Sequence, residues 1–104
     1  MTTVDVYISG KDRKESICLH NGLCGLATAV FRAVLGACRD GLASGEWSNS
    51  HAEVLVRGSV LRPMLTGLEP LARPWHDDDD NARLAAFRDA ITDDALYAVT
   101  ATEV

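Results

Sequence analysis

Val4, Val6 and Ile8 alternate with Asp5, Tyr7 and Ser9. A period of two puts the aliphatic residues on one face of a half-buried strand. Ser9-Gly10-Lys11-Asp12 has the chemistry of a turn, and the charged stretch 11–15 reads as solvated. Residues 16–19 read as a short second strand or an extended loop, and Asn21-Gly22 as a turn. The period then changes. Leu23, Leu26, Ala27, Val30, Val34, Cys38 and Leu42 recur at helical spacing, with Phe31 and Leu35 widening the stripe. The spacing predicts a mostly buried helix over residues 23–43.

Residues 43–50 carry Ser, Gly and Asn and read as a loop whose one large apolar group is Trp47. Residues 51–58 alternate again, with Val54 and Val56 opposite Glu53, Leu55 and Arg57, which predicts a strand. Ser59 is placed to cap a second helix bearing Leu61, Met64, Leu65 and Leu68. Pro63 is tolerable near a helix start, whereas Pro70 is not tolerable deep inside one, so this helix ends or kinks around Gly67 to Glu69. Asp80 or Asn81 then caps a third helix with Leu84, Phe87 and Ile91 on one face. Thr92-Asp93-Asp94 breaks it, and Tyr97, Val99 and Ala101 alternate in a final strand. The order predicts an α/β (α+β) fold, a small two-layer sandwich of a three- or four-stranded sheet with two to three helices.

At 104 residues the chain reads as a single domain over 1–104. Its net charge of −5 argues against nucleic acid as a partner, because phosphate binding needs a basic footprint. The charge is uneven: residues 1–73 hold eight Lys/Arg and seven Asp/Glu, whereas residues 74–104 hold two Arg and eight acids. The acidic segment 74–104 therefore reads as a peripheral end, or as a surface for a basic partner. No run of about 18 apolar residues is present to span a membrane. Three cysteines and no secretory pattern point to the reducing cytoplasm.

Chemistry concentrates in Cys18-Leu19-His20-Asn21-Gly22-Leu23-Cys24. Cys24 falls at the expected helix N-terminus, where the helix dipole favours a thiolate. His20 reaches it if the Asn21-Gly22 turn folds back, and a Cys–His pair is the minimum for thiol-based hydrolysis. The residue type equally suits an inert buried cysteine. Cys18, His20 and Cys24 also read as zinc ligands, with His51, His76 or Cys38 as a fourth. If Cys18 and His20 share a strand, they point to the same side. A second cluster runs Arg73-Pro74-Trp75-His76 into Asp77, Asp78, Asp79 and Asp80. Trp and Arg are favoured interface anchors, so this stretch is the candidate partner-binding segment. A glycine-rich phosphate loop and a nucleophile elbow are both absent, and nothing in the chain calls for a cofactor.

Three segments together resemble the ribosomal-processing cysteine protease family, small bacterial enzymes that trim an N-terminal extension from a ribosomal protein. Ile8-Ser9-Gly10 is similar to the family's Ile-Ser-Gly-His segment at a strand end. Cys24-Gly25-Leu26-Ala27-Thr28-Ala29-Val30 is similar to its nucleophile-bearing helix start, and residues 63–71 to its later Leu-rich helix. The resemblance spans residues 4–72 and implies a related fold with Cys24 at the nucleophile position. Lys11 stands where the family has its catalytic His, so protease activity would need His20 to take over that role.

The readings rank as follows. First comes a non-enzymatic interaction or regulatory module, such as a bacterial or phage accessory protein, that binds another protein with a basic surface; a homodimer is compatible with it. The alternatives are a cysteine hydrolase using Cys24 with His20, and a small zinc-stabilised domain.

Overall fold

The computed structural model describes residues 3–10, 16–22, 25–68 and 78–103. Eight elements follow in the order β1 (Thr3–Ser9), β2 (Ser16–Gly22), α1 (Leu26–Arg39), β3 (Ala43–Trp47), β4 (His51–Arg57), α2 (Gly58–Thr66), α3 (Asp78–Ala90) and β5 (Leu96–Glu103). The strands form one antiparallel sheet in the order β2-β1-β5-β4-β3. This is an α+β sandwich of two layers. The sheet has five strands rather than three or four, because residues 16–22 are a full strand and residues 43–47 another.

The alternating segments fold as their period requires. Val4, Val6 and Ile8 of β1, Val54 and Val56 of β4, and Tyr97, Val99 and Ala101 of β5 all face the helices and are at most 4% exposed. Ile17 and Leu19 of β2 complete that face. The helix layer answers with Leu26, Val30, Phe31 and Val34 of α1, Leu61 and Leu65 of α2, and Leu84 and Phe87 of α3. Phe87 meets Tyr97 edge-to-face, with ring centroids 5.9 Å apart.

Five local expectations are corrected. The first helix stops at Arg39 rather than 43. Gly41 takes the left-handed conformation at φ 75°, and the Leu42 amide bonds back to the Ala37 carbonyl at 2.9 Å. That is a Schellman closure, which turns Leu42 out of the apolar stripe and leaves it 51% exposed. The expected loop at 43–50 is half strand, since Ala43–Trp47 pairs with β4. Asn21 and Gly22 lie within β2 rather than in a turn.

The fourth correction concerns α2, which begins at Gly58 with Arg57 as its N-cap residue, not Ser59. Its first amides are satisfied by main chain: Gly58 donates to the Ala95 carbonyl at 2.8 Å and Ser59 to that of Asp93 at 3.1 Å. Glycine is required at 58, because a Cβ there would collide with the Thr92 carbonyl. The third helix likewise starts at Asp78, two residues ahead of the expected cap. Among the described residues no helix is long and apolar enough to cross a membrane.

Candidate functional site on the open face of the sheet

All three helices lie on one side of the sheet, so the alternate residues of every strand face away from them. Register sets those residues in rows. His20, Asp5, Thr102 and His51 form one row across β2, β1, β5 and β4. Cys18, Tyr7, Thr100, Glu53 and Glu46 form the next, and Ser16, Ser9, Ala98, Leu55 and Ser44 a third. Leu96, opposite Arg57, lies diagonal to Leu55. Tyr7, Leu55 and Leu96 are 44%, 47% and 48% exposed, high values for large apolar side chains.

The polar row is internally bonded. The His20 Nδ1–H donates to Asp5 Oδ1, since a carboxylate only accepts. That contact fixes the ring and leaves Nε2 open to solvent on the exposed face. At the other end of the row, His51 Nδ1 hydrogen-bonds Thr102 Oγ1 at 3.2 Å, and its Nε2 lies 3.7 Å from Glu53 Oε1. Asp5, Glu46 and Glu53 against Arg57 leave the face acidic.

Cys18 and His20 do share a side, as strand spacing requires. Two residues apart along a strand, they stand next to each other without bonding. Cys24, Arg73, Trp75, His76 and Asp77 lie outside the described residues. Asp78, Asp79 and Asp80 begin α3, and Asp79 is exposed. Among the described residues no three His, Cys, Asp or Glu converge as a metal site.

α1 begins after Gly25, an extended N-cap residue without a side-chain cap bond, and its first turn has no acid. Its positive end is therefore not neutralised from within the helix. Leu26 there lines a recess of about 210 Å³ with Leu65, Leu68 and Leu84. The remaining cysteine, Cys38, is buried, and desolvation raises its thiol above the ordinary value of 9.0, with Arg39 opposing the shift.

The sequence singles out Cys18 and His20, and His51 only as a possible fourth zinc ligand, but gives no site role to Asp5, Tyr7, Leu55 or Leu96. The available signal was their alternation with core residues: each is the outward neighbour of a buried one. What could not be read was the strand order that gathers them, because Asp5 and His20 meet only through hairpin register. Neither a protein-family model, a curated protein nor a solved structure matches this chain.

Proposed function

We propose that this chain is a non-enzymatic interaction module that docks a basic partner protein on the open face of its sheet. One observation carries the reading: Tyr7, Leu55 and Leu96 stand half-exposed among Asp5, Glu46 and Glu53 on a face that, among the described residues, no second layer covers. Apolar patches rimmed by charge are what recognition surfaces present. The acidic sign selects basic partners and speeds their encounter. The acidic run at 77–80 adds charge of the same sign.

The test is capture with face variants. Tyr7→Arg and Leu55→Arg should release a basic partner that the parent chain retains, and salt should weaken its binding. Equal retention by parent and both variants would refute the docking face. Failure to retain any partner, together with a measurable turnover, would refute the non-enzymatic reading.

The Asp5–His20 pair favours a second reading, a cysteine hydrolase. A carboxylate that orients an imidazole leaves the other nitrogen free to take a proton from a thiol. In this reading Cys24, two residues before α1 in the sequence, is the nucleophile, His20 the base and Asp5 its orienter. It draws on the resemblance to ribosomal-processing cysteine proteases, with His20 taking the role of the histidine that Lys11 replaces. The measurement is iodoacetamide labelling under mildly acidic conditions: fast labelling of Cys24, slowed by His20→Gln, is required. Slow labelling unaffected by His20→Gln would end this reading.

A further inference from the structure

The sheet has two edges, and they are finished differently. At β2, Arg83 of α3 donates from Nη2 to the Cys18 carbonyl, so the edge is engaged from outside. At β3 the main chain faces outward with nothing across it among the described residues. The Ser48 amide bonds the His51 carbonyl at 2.7 Å, which makes 48 and 51 a hydrogen-bonded pair. Antiparallel alternation then turns the amides and carbonyls of Glu46 and Ser44 toward β4, and those of Ala43, Gly45 and Trp47 outward. Edges left open in this way are normally blunted by Lys or Pro. Residues 43–47 contain neither.

We propose that β3 pairs antiparallel with β3 of a second copy of this chain, about a two-fold axis at Gly45, to make one continuous ten-stranded sheet. The occupant follows from self-complementarity. With Gly45 opposite itself, Ala43 faces Trp47 of the second copy and Ser44 faces its Glu46. All three outward-bonding residues of each strand then meet outward-bonding residues, giving about six main-chain hydrogen bonds. A register centred one residue later would set Glu46 against Glu46, and like charges directly opposite destabilise a ladder. Size matches as well. Ala43, Gly45 and Trp47 share the helix-side face through pairing with Val56, Val54 and Ala52. The half-exposed Trp47 of each copy therefore lies over the smallest side chains of the other. Gly45, at φ 141°, is held to glycine by β4 itself, because a Cβ there would collide with the Glu53 carbonyl. A five-residue edge is a small interface, so the dimer is concentration-dependent. The pairing does not rest on the docking reading; it would double the open face by joining two of them edge to edge.

Sedimentation equilibrium over a concentration series tests it. The parent chain should pass from monomer to dimer. Amide exchange at Ala43, Gly45 and Trp47 should slow as the dimer forms. Ser44→Glu opposes two carboxylate pairs across the axis and should weaken the dimer about tenfold or more. Adding Glu46→Lys to Ser44→Glu should restore it, with circular dichroism unchanged throughout. Leu55→Arg, on the open face, should leave the dimer intact while abolishing partner docking. A monomer at every concentration overturns the proposal, as does a dimer that Ser44→Glu leaves unaltered or that Leu55→Arg dissociates.

Discussion

Along β4, Val54 and Leu55 are adjacent aliphatic residues with opposite fates: Val54 is 4% exposed and Leu55 47%. Tyr97 and Leu96 of β5 divide in the same way, at 0% and 48%. At these positions the two faces of one sheet carry similar residues and differ in what covers them. Burying a large apolar side chain is worth about 1.5–3 kcal/mol, which the helix-side residues realise on folding. For Tyr7, Leu55 and Leu96 nearly half of that gain is still unrealised in the isolated chain. A partner that covers them can collect it, which connects the arrangement of the fold to a docking function.

The largest test of the difference is a pair of truncations on neighbouring residues. Tyr97→Ala removes the largest fully buried side chain and should cost about 3–5 kcal/mol in urea unfolding. Leu96→Ala, one residue away on the other face, should stay within about 0.5 kcal/mol. A comparable loss at Leu96 would mean that the open face is covered in solution, even without a partner.

Tyr97→Phe sharpens the same contrast with one atom. The Tyr97 hydroxyl accepts the Thr92 amide at 2.9 Å, at the loop whose carbonyls hold the start of α2. Removing it leaves a half-buried amide without that acceptor and should cost about 1–2 kcal/mol. On the open face a polar deletion should matter less. Asp5→Asn weakens a hydrogen bond between side chains that are 65% and 49% exposed, so the expected change is below about 1 kcal/mol. An unfolding midpoint that falls further for Asp5→Asn than for Tyr97→Phe would reverse the assignment of the faces.

The helix-side face was legible in the sequence because burial on one side imposes a period. β1, β4, β5 and the apolar face of α3 were all read from such alternation. β3 was not, since an edge strand with both faces exposed has no aliphatic period to read. The end of α1 was misread because Leu42 fits the apolar stripe by spacing alone, and only the left-handed Gly41 separates it from the helix. The open face was half legible. Cys18 and His20 could be put on one side by counting, but the Asp5–His20 pair depends on a hairpin register that local pattern does not specify. Outward residues are also freer in type than inward ones, so Tyr7 and Leu55 stand out only because the described helices all lie on the other side of the sheet.

The smallest expected effect separates the faces by thiol chemistry. Cys18 stands on the open face and Cys38 is 7% exposed on the buried side of α1. Iodoacetamide should label Cys18 in the folded chain and reach Cys38 only when denaturant unfolds it. The pH dependence has a definite sign. Burial raises the Cys38 thiol above 9.0, so the unfolded chain loses this proton first as pH rises. The stabilisation is whole below the unfolded value and is lost as pH climbs through the folded one. The unfolding midpoint of the parent should therefore drop more from about pH 8 to about pH 10 than that of Cys38→Ala. Equal drops would mean that the thiolate is solvated in the native state. Equal labelling of Cys18 and Cys38 would carry that further, because it requires α1 to lift from the sheet and expose the buried face.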